Sequence, residues 1–135
     1  MTSKLWGAWA VCALLAAAVP AVAHHAVQAQ YDFDKPIEFT GKLVKMEWVS
    51  PHSMLHLEVT NKDGSKTEWL FQTTSPTTLR ARGLARSSEG GFEVGKTYTA
   101  LGFAARNGNP MGFLREIRMP DGRHIVMWFG DPNGN

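Results

Sequence analysis

From Pro36 onward, apolar and polar residues alternate with the two-residue period of a half-buried β-strand. Ile37 and Phe39 alternate with Glu38 and Thr40; the apolar phase then slips, and Val44, Met46 and Trp48 carry it forward. Gly41 lies at the slip, where a bulge or sharp bend would re-aim the strand. Ser50-Pro51 ends this first strand. Leu55, Leu57 and Val59 form the next inward set, with Met54, His56 and Glu58 on the opposite face. Asn61-Lys62-Asp63-Gly64 predicts a hairpin turn with glycine at its end. Trp69 and Phe71 then point inward on the partner strand, against Glu68, Leu70 and Gln72.

The period changes after Thr74. Ser75 is placed as a helix N-cap and Pro76 as the first helical residue, and Gly83 as the stop, so only two turns fit. Val94-Gly95-Lys96 predicts a turn before a strand from Thr97 to Phe103. The loop Arg106-Asn107-Gly108-Asn109-Pro110, a strand from Phe113 to Met119, the turn Pro120-Asp121-Gly122 and a last strand from Arg123 to Phe129 follow. A long bent strand, a hairpin, a short helix after the third strand and further strands beyond it give the order of a small OB-fold-like Greek-key barrel, all-β with one short helix. An open sandwich accounts equally well for the alternation, yet gives no reason for a lone helix at that place.

The residues before Pro36 read differently. Lys4 gives a short positive end, Leu5 to Val19 form an apolar run, Pro20 breaks it, and Ala21-Val22-Ala23 is a small-x-small cleavage site. The run is shorter than the roughly 20 residues that span a bilayer, so export is expected and stable membrane insertion after cleavage is not. The expected organisation is a cleaved signal peptide at 1–23, an irregular arm at 24–36 with Tyr31 and Phe33 as anchors, an OB-like domain at 37–129 and a flexible tail at 130–135. The product would be periplasmic or secreted.

Cys12, the only cysteine, leaves with the signal peptide, so the mature part has no thiol, disulfide or cysteine metal site. Removing residues 1–23 takes away Lys4 alone, and 14 basic residues become 13 against 12 acidic ones. A nearly neutral exported domain with no block of like charges argues against nucleic acid as its partner.

His24-His25, Tyr31-Asp32, Lys35-Pro36, Thr40-Gly41-Lys42-Leu43 and Trp48 with Ser50-Pro51-His52 together resemble a bacterial family of small exported proteins catalogued as domain-of-unknown-function family 6152. Leu79-Arg80-Ala81-Arg82-Gly83-Leu84, the Val94-Gly95-Lys96 turn and Met119-Pro120-Asp121-Gly122-Arg123 fit the same pattern. The resemblance implies secretion and a small β domain and no particular activity. In that family the His pair is usually followed by a small residue and an aromatic, and the Pro-His is usually preceded by Asn; here Ala26-Val27 and Ser50 stand instead.

Candidate chemistry rests on the histidines. Cleavage after Ala23 would leave His24 first, with an α-amine and an imidazole on one residue, and His25 beside it. His52 and His56 share a face of an extended strand but lie about 13 Å apart, too far to hold one ion together without a bulge. The economical metal set is therefore His24 and His25 with either His52 or His56. Amine plus imidazoles suits Cu(II), with Zn(II) or Ni(II) as alternatives. A second constellation is the barrel mouth, where Trp48 and the loop residues Arg106, Asn107 and Asn109 could bind a protein or an envelope polymer. No nucleophile elbow or phosphate loop is present, and Asp32 and Asp34 read as turn formers, so no catalytic residue is assigned and no enzyme is expected. The reading is a small periplasmic binding protein with a metal ion as ligand, and the alternative is a metal-free adaptor that works at the barrel mouth.

Overall fold

The computed structural model describes residues 27–85 and 87–128; His24, His25, the cleavage site and the tail 130–135 lie outside the described residues. The chain divides into two compact units, Met1–Gln30 and Tyr31–Asn135. Of the first, the described residues 27–30 form a helical turn. Among the described residues no helix is long and apolar enough to cross a membrane.

The second unit is built from β1 (Tyr31–Glu47), β2 (Met54–Thr60), β3 (Lys66–Gln72), α1 (Pro76–Ala81), a 3-10 turn (Ser87–Glu89), β4 (Thr97–Ala105), β5 (Met111–Arg118) and β6 (His124–Val126). The strands run antiparallel in the order β3-β2-β1-β4-β5-β6. A parallel pairing of β3 with β5, from Leu70↔Met111 to Gln72↔Phe113, closes the ring. One edge of β5 is shared: its first residues pair with β3, and Glu116 to Arg118 pair with β6. This closed ring, with α1 between the third and fourth strands, has the expected OB-fold-like connectivity.

Local chemistry explains the elements. Asn61 and Ser65 close the β2–β3 hairpin by a backbone bond of 2.7 Å, and Gly64 takes the left-handed conformation at φ +85°. Ser75 caps α1 by accepting from the Thr78 amide, Pro76 opens the helix, and Leu79 is buried at the base of the core. Leu43, Leu55, Leu57, Val59 and Phe71 line the interior with Tyr98, Ala100, Leu114 and Ile117. Burial of each aliphatic side chain in this set contributes about 1.5–3 kcal/mol. Trp69 faces the same interior but is only partly buried, stacked on Phe39 at 4.1 Å.

β1 departs from the expected pattern in three ways. It begins at Tyr31, not after Pro36, because aromatic residues tie its first turn of chain to the sheet. Tyr31 is fully buried against Phe113 and donates its hydroxyl to Gln72 Oε1 at 2.9 Å, while Phe33 packs on Phe103 at 4.8 Å and Trp128 at 5.4 Å. Second, the register breaks between Leu43↔Leu57 and Lys45↔His56, so the bulge sits at Val44 and not at Gly41. Gly41 serves close approach instead: a Cβ there would lie 2.6 Å from the Glu58 carbonyl oxygen. Third, Leu43 is the fully buried residue, and Trp48, beyond the strand's end, is 42% exposed. The last strand is also shorter than expected, His124–Val126.

Gly112 faces Phe71 and Ile37 across the interior. Strand alternation then turns Phe113 outward, where it meets Trp128 and Tyr31. This aromatic layer on the outer side of β4 and β5 holds the first residues of β1 in place.

Candidate functional site

The outer face of β1, β2 and β3 carries two histidines in contrasting settings. The β1–β2 connection, residues 48–53, passes through a cis Ser50–Pro51 bond. Just after it, Ser53 donates its amide to the Thr74 carbonyl at 3.0 Å and Thr73 donates to the Ser53 carbonyl at 2.9 Å. These bonds extend the β2–β3 ladder to the loop and fix Thr73 beneath His52. His52 Nδ1 lies 3.2 Å from the Thr73 carbonyl oxygen. A carbonyl oxygen only accepts, so Nδ1 is the donor, and the neutral ring then carries its lone pair on Nε2. The ring is exposed, and among the described residues Nε2 has no protein partner. The Ser53 and Thr73 hydroxyls are buried and without hydrogen-bond partners among the described residues.

His56, four residues on, lies on the outer face as expected but is buried, only 6% exposed. Its cover is carboxylate. Nδ1 is 2.5 Å from Glu68 Oε1 on β3, and Nε2 is 3.0 Å from Glu47 Oε1 on β1. Lys45 Nζ also sits 2.5 Å from Glu47 Oε1. That hydrogen bond, with the charges of Lys45 and His56, holds the Glu47 carboxyl below the ordinary carboxylate range against a smaller opposing effect of burial. The bulge at Val44 is what sets Lys45 opposite His56 and brings Glu47 over the ring. Spacing along the chain gave no signal for Glu47 and Glu68 as its partners; the cross-strand register decides them.

The mouth loop at 106–110 is braced by contacts of its own. Asn107 Oδ1 accepts the Asn109 amide at 3.0 Å, closing a turn within the loop, and Arg106 reaches Asp32 at 3.6 Å. Leu70 donates its amide to the Pro110 carbonyl at 3.0 Å, which joins this loop to β3 beside the Leu70↔Met111 pair. Trp48 leads into the 48–53 connection, which lies beyond the Met54↔Gln72 pair. Phe103 and Phe113 belong to the buried aromatic layer. Asp34 donates its amide to Asp32 Oδ1 at 3.3 Å, the turn-forming use expected of that pair.

Among the described residues no group of three His, Cys, Asp or Glu side chains is arranged to hold a metal ion. His52 offers one open ring nitrogen; the ring nitrogens of His56 are both taken. His24 and His25 lie outside the described residues.

No curated protein matches the chain. A family model does, over residues 11–115, from the apolar N-terminal run into β5; the Met119–Arg123 turn lies past its end. The match spans most of the chain, and the protein belongs to DUF6152, a family of unknown function.

Proposed function

We propose that this chain is a small exported binding protein, not an enzyme, whose ligand is a transition metal ion. Copper(II) is the first choice, with Zn(II) or Ni(II) as alternatives. The ligands would be His52 Nε2 and the His24-His25 end freed by signal-peptide cleavage. One observation carries this reading: Nδ1 of His52 faces the Thr73 carbonyl at 3.2 Å. Histidine ligands commonly donate their second nitrogen to a carbonyl or carboxylate, which fixes the ring and the tautomer. His56 is left out of the set, because a metal at either of its nitrogens would have to displace a carboxylate. The metal would cross-link the processed terminus to the β1–β2 connection, and both the α-amine and the imidazoles bind it only when deprotonated.

The second reading, an adaptor for a protein or envelope polymer, draws on a different observation. Trp48 and Val49 are 42% and 48% exposed on the same connection, large apolar side chains held out from the sheet. In that case the histidines are incidental. Arg106, Asn107 and Asn109 have a weaker place in it, since Asn107 is engaged in its own turn.

Copper(II) titration of the processed protein separates the two. Protein that begins at His24, confirmed by intact mass, should bind Cu²⁺ more tightly than a free His-His peptide, and one additional N-terminal Met should weaken that binding. Equal affinity for protein and peptide would overturn the metal reading and put the adaptor in its place.

A further inference from the structure

Strand β1 has a neighbour on both sides along its first part and on one side only after that. It pairs with β4 as far as Lys42↔Thr97. Leu43 then gives both backbone groups to the turn before β4: its amide donates to the Lys96 carbonyl at 2.9 Å, and its carbonyl accepts the Gly95 amide at 2.7 Å. Beyond Leu43, β2 is the only strand beside β1 among the described residues. Backbone groups along an antiparallel strand point to the two sides in turn. Ser53 turns both of its groups to the β3 side, so Met54 meets Glu47 on the β1 side, and Met46 is left facing the open edge. An unpaired edge is a template for another strand. The large apolar side chains that stand exposed among the described residues mark its two ends. Val94, in the turn beside Leu43, is 60% exposed, and Trp48 and Val49 follow at the far end.

We propose that this edge pairs with the same edge of a second copy, antiparallel about a two-fold axis at Met46. The run Val44-Lys45-Met46-Glu47-Trp48 is self-complementary in that register. With Met46 opposite Met46, Lys45 stands across from Glu47 of the other copy, twice over, and Val44 stands across from Trp48. Opposite charges, and an aromatic against a β-branched residue, are favourable cross-strand pairs. Moving the axis to Lys45 sets lysine against lysine, and moving it to Glu47 sets glutamate against glutamate; like charges directly opposite destabilise a sheet. Lysine on an edge ordinarily keeps other strands away. Here the glutamate two residues on answers it. Ser50-Pro51 turns the chain aside where the other copy's 93–96 turn begins, so Trp48 and Val49 come to rest at Val94 of the other copy, and the exposed apolar side chains are covered together. Such a contact is isologous and closes as a dimer. The pairing uses neither His52 nor a metal, so it stands apart from the proposed metal site.

Sedimentation equilibrium of the processed protein tests this, with a chelator in the buffer so that no metal joins two copies. Wild type should form a reversible dimer, and Lys45→Glu should raise its Kd at least about tenfold, because two attractive pairs become repulsive. Glu47→Lys should do the same. An equal mixture of the two variants should dimerise again, since each copy then carries the charge that the other lacks. An isotope-filtered NOE between Hα of Lys45 in one copy and Hα of Glu47 in the other, expected in the wild-type dimer, fixes the register. A wild type that stays monomeric at about 1 mM would overturn the proposal. So would a dimer that lacks this NOE, or one whose Kd is unchanged by Lys45→Glu. Should Glu47→Lys unfold for want of its contact with His56, Lys45→Glu and the wild-type NOE still decide.

Discussion

His52 and His56 lie four residues apart, on one connection and the strand that follows it, and they differ in how many ring nitrogens the protein has used. At His52 a backbone carbonyl takes Nδ1 and leaves Nε2 in the open. At His56 two carboxylates from neighbouring strands take both. The first ring can accept a ligand without disturbing the fold; the second is part of what holds three strands in register. Chemical identity and spacing along the chain do not separate such residues. Cross-strand neighbours do.

The wall that contains His56 should be far more sensitive to substitution than the loop that contains His52. Leu57 sits on the inner face of β2, fully buried in the core. Leu57→Ala should cost about 2–5 kcal/mol in urea unfolding. A loss under about 1 kcal/mol would mean that the strand phase is inverted, because one residue of slip swaps the faces. His56→Ala comes next. Its ring is a buried side chain hydrogen-bonded to two carboxylates, and losing such contacts costs about 1–3 kcal/mol.

Much of the wall is legible in the sequence, because its signals are local. Leu55, Leu57, Val59 and Phe71 alternate with polar residues, and the Ser75-Pro76 cap and the Asn61–Gly64 turn declare themselves within a few residues. The start of β1 is not local: Tyr31 is drawn into the sheet by Phe113, Gln72 and Ala105. The bulge at Val44 likewise belongs to the closing of the ring, and a phase slip read at Gly41 marks the bend without locating the extra residue. As for the site, His52 can be read as a loop histidine from Pro51. The carbonyl that fixes its tautomer lies 21 residues away, beyond any spacing argument. His56 read as a polar outer position, correctly for its face. Its burial depends on Glu47 and Glu68, which only the register brings over the ring.

A third group in the wall has a pH signature. Burial pushes the Tyr31 phenol up to about 12 from an ordinary 10.0. The folded state then disfavours the phenolate that the unfolded chain forms first. Stability should be unaffected by this group below about pH 10 and should decline between about 10 and 12. Ultraviolet titration of tyrosinate in wild type and Tyr31→Phe checks this; an ordinary midpoint for Tyr31 would place its ring in solvent. The smallest effect is expected at the loop. His52→Ala removes one 3.2 Å bond from an exposed ring, and unfolding free energy should change by no more than about 0.5 kcal/mol.

That small structural effect is what makes His52 the decisive position for function. Cu²⁺ affinity should be measured by competition with a chromogenic chelator, on processed protein beginning at His24, for wild type, His52→Ala and His56→Gln. The account predicts a large loss of affinity for His52→Ala at unchanged stability, a minor one for His56→Gln, and weaker binding for the wild type as pH falls through about 6.5, where imidazole protonates. Affinity unchanged by His52→Ala would contradict it, since the one open ring nitrogen described on this face would then have no part in holding the metal.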